Sequence, residues 1–255
     1  MRFAVLGSGS SANSYIFEDE DFSFLIDNGF SVKELCQRAE DLDFDLSRLH
    51  FIFITHTHDD HVRGAGALSR KLKIPVVIHK RVPRKTTDKI NPHELLGILP
   101  DKTYNYGSLE FIPFTTSHDA SHPVGYHFSI GGKKFTLLTD TGVVPEKARE
   151  HVANSDVLFL ESNYDCEMLE NGSYPVYLKK RIASSKGHLS NKAAVDFING
   201  MASGEGPSLI YLCHLSASNN SVDRVKDEIK TNIENNGRKI IICGKGEMIP
   251  GENDK

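Results

Sequence analysis

Short apolar and β-branched runs recur along the chain, each bounded by polar or turn-forming residues: RFAVL, NSYIF, FSFLI, HFIFI, PVVIH, LEFIPF, VGYHFSI, KKFTLL, DVLFL, SLIYLC and KIIIC. Runs of this length and composition predict strands. Between them VKELCQRAEDL, GAGALSRKL, PEKAREHVA, NKAAVDFINGMA and VDRVKDEIKTNIENN carry apolar residues three and four positions apart, which predicts helices. The alternation is irregular, and FSI-GG-KKFTLL reads as a hairpin, so an α/β protein with mixed sheets flanked by helices fits better than a doubly wound parallel sheet. No linker or low-complexity tract divides the 255 residues. One domain over 1–250 is expected, with a short flexible tail at 251–255.

The polar residues that follow these runs carry the chemical signal. FSFLI runs into Asp27, HFIFIT into His56, KKFTLLT into Asp140, DVLFL into Glu161 and SLIYLC into His214. Ligand sites of open α/β sheets lie outside the carboxyl ends of strands, so these side chains are expected to converge. The densest stretch is ITHTHDDH, residues 54–61. His56 and His58 leave a strand two positions apart and can face the same way. Asp60 and His61 follow where the chain turns into a helix expected to begin near Val62, which aims them at a second point nearby. Five ionisable side chains behind a buried strand would cost several kcal/mol unless solvated or metal-bound. Imidazole and carboxylate together suit zinc, manganese or iron.

Composition narrows the setting. A hydrophobic content of 39% is enough for a substantial core, and a net charge of −4 excludes a global positive field, so any contact with a polyanion must be local. The amino terminus MRFAVLG is too short an apolar run for a signal-peptide core, and nothing approaches the roughly 20 apolar residues that span a bilayer. Cys36, Cys166, Cys213 and Cys243 are widely spaced without a C-x-x-C pair, as expected of reduced thiols. A cytoplasmic protein without a membrane anchor is the expectation.

The H-x-H-x-D-H pattern of His56, His58, Asp60 and His61 resembles the signature of the metallo-β-lactamase-fold hydrolases. That resemblance implies a four-layer αββα sandwich with a binuclear site at one edge of its two sheets. It further implies His118 in TTSHDA, Asp140 in LLTDTG and His214 in LCHLS as the remaining ligands, with Asp27 in LIDNG supporting the site without ligating metal. GSGSSANSY, THTHDDH, SHDASHPVGY, TDTG, ESNYD, GHLSN and HLSASNN are similar, in order, to landmarks of the YycJ/WalJ-like branch, whose members are regarded as 5′-to-3′ DNA exonucleases. Tyr164 departs from that branch, which usually reads ESNHD. By the resemblance, His56, His58 and His118 hold one divalent ion, zinc or manganese, Asp60, His61 and His214 a second, and Asp140 bridges them. Asp60 and His188 are the candidate catalytic residues. A shared hydroxide would attack a phosphodiester.

Ligands alone do not choose between phosphodiester and thioester, but three loops lean towards phosphate. GSGSSANS offers backbone N–H groups with Ser10, Ser11 and Asn13 as added donors. GHLSN precedes a helix that Ser190 or Asn191 can cap, and His188 there can contact a phosphate or protonate a leaving oxygen. HLSASNN adds Ser216, Asn219 and Asn220, which can bond a nucleotide backbone or merely form a turn. Basic runs at Arg70–Lys85 and Lys179–Arg181 would neutralise DNA phosphates if they face the cleft, and are solvated helix faces otherwise. The competing readings are a thioester or small cyclic phosphodiester hydrolase, and a non-catalytic, metal-stabilised signalling module. Oligomeric state is not legible.

Overall fold

The computed structural model describes residues 1–202, 204–234 and 237–252. Its first half forms β1 (Arg2–Gly7), β2 (Ser14–Glu18), β3 (Ser23–Ile26), α1 (Val32–Asp41), β4 (Phe51–Phe53), α2 (Asp59–Val62), α3 (Ala65–Leu72), β5 (Pro75–His79), α4 (Arg84–Ile90) and β6 (Glu94–Ile98). The second half adds β7 (Tyr104–Tyr106), β8 (Leu109–Thr115), β9 (Val124–Ile130), β10 (Lys133–Leu138), α5 (Glu146–Ala153), β11 (Val157–Glu161), α6 (Cys166–Asn171), α7 (Val176–Ile182), α8 (Asn191–Asn199), β12 (Leu209–Cys213), α9 (Val222–Asn232), β13 (Lys239–Ile242) and β14 (Ile249–Pro250).

These strands build two sheets of seven, ordered β14-β1-β2-β3-β4-β5-β6 and β13-β12-β11-β10-β9-β8-β7. Each sheet joins three antiparallel pairings to three parallel ones, with β3 and β10 at the change of direction. The two halves therefore share one plan that leaves no evident repeat in the sequence.

Strands buried on both faces read as unbroken apolar runs. In β1, Phe3 and Val5 enter the core between the sheets while Ala4 and Leu6 face the outer helices. The inter-sheet layer is aromatic: Phe17 meets Phe128 edge to face at 4.7 Å and Phe3 meets Phe135 at 5.2 Å, across the two sheets. A second cluster packs α1 and α3 on the first sheet, and a third packs α5, α8 and α9 on the second. This is the expected αββα sandwich.

All eleven expected strands and five expected helices form. Four helices and three strands were not expected: α2, α4, α6, α7, β6, β7 and β14. The Gly131-Gly132 hairpin turn has φ of 55° and 76°, as a two-residue turn requires. Of the tail expected at 251–255, Gly251 N–H donates to Phe3 O and Glu252 N–H to Tyr211 Oη, tying both to the sandwich. Residues 253–255, and the end of the last expected helix at 235–236, lie outside the described residues.

One pair on the outer face of the second sheet makes stability pH-dependent. His127 stacks on His151 at 5.0 Å, with Nδ1 2.9 Å from Thr136 Oγ1. Burial, then the neighbouring His151 and Lys134, push its pKa down to about 4. An unfolded His127 takes a proton at higher pH than the folded one, so its contribution is full above about 6.5 and lost as pH falls towards 4. His127→Gln is expected to flatten the fall in Tm between pH 6.5 and 4, measured against wild type by thermal melts.

Candidate metal centre

The site assembles at the carboxyl ends of the central strands of both sheets. His56 follows β4, Asp27 follows β3, Asp140 follows β10, and His214 follows β12. Asp27, Asp140 and His214 take left-handed backbone angles, with φ of 60°, 54° and 61°. Such conformations cost free energy in non-glycine residues and persist only where the surroundings enforce them. Here the backbone turns sharply and aims each side chain along the strand end.

The seven expected ligands converge. His56 Nε2 lies 3.0 Å and His118 Nε2 3.3 Å from His58 Nδ1. A tetrahedral ion with nitrogen ligands at about 2.0–2.1 Å holds them about 3.3 Å apart, so this is close to coordination spacing. On the other side, Asp60 Oδ2 lies 3.4 Å from His61 Nε2 and 3.5 Å from His214 Nε2. Asp140 stands between the two groups: Oδ1 is 3.7 Å from His118 Nε2 and 3.5 Å from His214 Nε2, and Oδ2 is 3.4 Å from His61 Nε2. Asp140 Oδ2 and His214 Nε2 are buried with no hydrogen-bond partner. Orphaned acceptors are costly when buried, and cations would satisfy both, so the donor set fits metal.

Four histidines are locked so that Nε2 faces inward. His118 donates Nδ1–H to Gly187 O at 2.9 Å, and His61 donates Nδ1–H to Asp27 Oδ2 at 2.7 Å. His214 donates Nδ1–H to Glu161 Oε1 at 3.0 Å. Thr55 spends its hydroxyl proton on Asp27 Oδ2, so its oxygen accepts from His56 Nδ1 at 3.1 Å. Such partners fix tautomer and ring orientation. Asp27 contacts both Thr55 and His61 and makes no direct contribution to either group of candidate ligands.

The charges are strongly coupled. Burial lowers the His61 pKa, but the carboxylates of Asp140 and Asp27 outweigh it and push it up to about 10. Burial and three neighbouring imidazoles hold His56 well below its usual range. Burial opposes ionisation of Asp60, yet the imidazoles of His214 and His61 beside it keep it far below the ordinary carboxylate range.

The family described as the beta-lactamase superfamily domain matches residues 23–215. Exodeoxyribonuclease WalJ of Streptococcus pneumoniae serotype 2 (strain D39) is 35% identical over 224 residues, covering 86% of this chain and 83% of that protein. Exodeoxyribonuclease YycJ of Bacillus anthracis is 31% identical over 246 residues, covering 93% and 90%. The chain belongs to the beta-lactamase superfamily, in its WalJ/YycJ branch. A solved structure of the metallo-beta-lactamase fold protein YhfI from Bacillus subtilis superposes with a TM-score of 0.73 at 18% identity, covering 98% of this chain and 100% of that one, and attests the fold. This superfamily member is a metal-dependent hydrolase.

Glu161 extends the expected set. Its Oε1 accepts from His188 Nδ1 at 2.7 Å as well as from His214, while Oε2 accepts from the backbone of Thr141 and Leu189 at 2.8 and 3.2 Å. Asn163 Nδ2 also meets His214, at its carbonyl oxygen, 2.8 Å away. The sequence signalled Glu161 by its place behind DVLFL and, with Asn163, by the ESNYD landmark, but gave neither a role.

The expected phosphate-binding residues do not share one surface. Ser10 and Ser11 are exposed, and His188 is half-buried with Nε2 as its free ring nitrogen. Asn13 is buried: its Oδ1 accepts from Gly9 N–H, and its Nδ2 lies 3.2 Å from Asp60 Oδ2. Ser190 caps α8 by accepting from Ala193 N–H, and Asn191 and Asn220 exchange two amide bonds of 2.9 and 2.8 Å in the interior. Ser216 accepts from the backbone of Asn219, which is itself buried. Tyr164 is buried and bridges to Ser190, outside every group able to hold metal. The helix expected near Val62 is α3, from Ala65; before it the unexpected α2 begins at Asp59, with His58 at its N-cap position, so Asp60 and His61 lie on the first turn of α2.

Two loops clamp the metal loop through the backbone. Asn13 N–H donates to Asp60 O, Asn28 N–H to His61 O and Gly29 N–H to Asn13 O, at 2.8, 2.8 and 3.1 Å. A Cβ on Gly29 would stand 2.0 Å from Asp60 O. Gly29→Ala is therefore expected to cost about 2–3 kcal/mol of stability and to displace Asp60 and His61. Denaturant unfolding and bound-metal analysis read both effects.

Proposed function

We propose that this protein is a DNA exonuclease, working 5′ to 3′ in the cytoplasm, that uses two divalent ions, zinc or manganese. The observation carrying this reading is the convergence of His56, His58 and His118 on one side of Asp140 and Asp60, His61 and His214 on the other, with buried unpartnered acceptors facing inward. The relatives' names supply the substrate class. Consistent with a reducing compartment, all four cysteines are free, and no helix among the described residues is long and apolar enough to cross a membrane.

The ions would supply a water activated for attack near neutral pH and positive charge against a phosphoryl oxygen. The chain's own residues do the rest. Asp140 and Asp60 set the anionic seat, and Glu161 holds His214 and His188 with Nδ1 protonated. His188, with 19% of its side chain exposed, turns Nε2 to the terminal phosphate, and exposed Ser10 and Ser11 lie on the opposite loop. Asn13, Ser190, Asn191, Ser216, Asn219 and Asn220 act beneath that surface by holding its loops.

Purified protein with added manganese or zinc should release mononucleotides from the 5′ end of linear DNA and leave S-lactoylglutathione intact. Metal-loaded protein that cuts no DNA, or that prefers the thioester, removes this reading.

A further inference from the structure

We propose that α7 is the element that grips the single-stranded end of the DNA, with Tyr177 stacking a base and Lys180 and Lys186 meeting its phosphates. This rests on the exonuclease reading above and adds where the strand lies.

Among the described helices α7 alone has no buried residue. Val176 and Tyr177 at its start are 67% and 73% exposed, the most exposed large apolar side chains described. A short helix whose inner face, Leu178 and Ile182, is only half-buried is held little by its own packing. Its placement is nonetheless fixed, because everything after it is stitched to the metal centre. Arg181 pairs with Asp119, the residue next to ligand His118. Ser117 Oγ donates to Ser185 O at 2.7 Å, and His118 Nδ1 to Gly187 O at 2.9 Å. His188 follows one residue later. The helix is thus a rigid arm rooted in the site, not a loose surface turn.

Helical spacing puts Tyr177, Lys180 and Arg181 on one stripe. Arg181 on that stripe pairs with Asp119, and Tyr177 lies one turn, about 6 Å of rise, towards the amino end of the helix. Lys179 is turned aside, donating to Glu170 O at 2.7 Å. Lys180 and Lys186 are exposed and form no ion pair among the described residues. An exposed aromatic ring flanked by unpaired cations, leading into a metal site on a chain of net charge −4, is complementary to a single strand: every base offers a face, and every phosphate a charge. A second copy of this chain docked through the same face would bring like-charged lysines together.

The test compares wild type with Tyr177→Ala, Tyr177→Phe and Lys180→Ala/Lys186→Ala, using 5′-overhang DNA and bis(p-nitrophenyl) phosphate. Tyr177→Ala should raise KM for DNA about ten-fold while leaving turnover of the small diester unchanged, and Tyr177→Phe should restore it. Each lysine removed should reduce the salt slope of DNA binding by about 0.7. DNA cleavage with KM and salt slope unchanged in these variants overturns the assignment of α7 and leaves the exonuclease reading intact. Wild type that hydrolyses the small diester but neither binds nor cuts DNA overturns both. A dimer that Tyr177→Ala converts to monomer, with DNA affinity unchanged, assigns the face to self-association and also overturns it.

Discussion

His58→Ala should abolish most of the hydrolytic activity, by about a thousand-fold, while leaving the fold intact. Activated water and charge against phosphoryl oxygen are worth several kcal/mol, and each 1.4 kcal/mol is a factor of ten in rate. His58 is the informative ligand to remove because it is only partly buried and its ring touches the site alone: Nδ1 faces His56 and His118. His56 is fused to Thr55 and His61 to Asp27, so substitution there would disturb the strand ends as well. Taking away one imidazole from three packed nitrogens also relieves repulsion between them, which keeps the metal-free protein stable. The check is metal content by mass spectrometry, a thermal melt and DNA cleavage on one preparation. A variant that keeps both full metal content and wild-type cleavage would place the metal elsewhere.

The fold was legible wherever a strand is buried on both faces, since such strands must be apolar throughout. It failed at three of the four sheet edges, β6, β7 and β14. β6 ends the first sheet, exposes Leu95 and Leu96 and contains Gly97, so ELLGI carries neither alternation nor a β-branched run. The helices missed, α2, α4, α6 and α7, span seven residues or fewer, too few for an apolar period to declare itself. At the site, the convergence of the candidate ligands was legible because metal chemistry demands rare side chains at strand ends. The roles of the polar residues around them were not legible, because hydroxyl and amide groups serve caps and ligands equally well. Asn191 and Asn220 satisfy one another in the interior, and only coordinates distinguish that from two donors offered to a phosphate.

Glu161 shows the same limit from the other side, and its replacement carries the second large expected effect. Glu161→Gln should lower metal affinity by 10- to 100-fold and reduce turnover further, though no expected ligand is touched. All four groups facing its carboxylate are donors: the Nδ1–H of His188 and His214 on Oε1, and the N–H of Thr141 and Leu189 on Oε2. A carboxylate accepts all four; an amide keeps one oxygen and presents an NH2 to the other pair. If the amide nitrogen faces the backbone, two buried N–H groups lose their acceptor. If it faces the histidines, both rings must reverse their tautomer, and His214 then turns a protonated Nε2 towards Asp60 and Asp140, where a ligand must be bare. Either choice separates the two carboxylate oxygens' duties, so Glu161→Asp, which retains charge but shortens the reach, should recover part of the affinity and Glu161→Gln almost none. Metal titration followed by calorimetry, with the pH dependence of DNA cleavage measured alongside, decides it: equal metal affinity in wild type and Glu161→Gln would mean that His214 is oriented without this carboxylate.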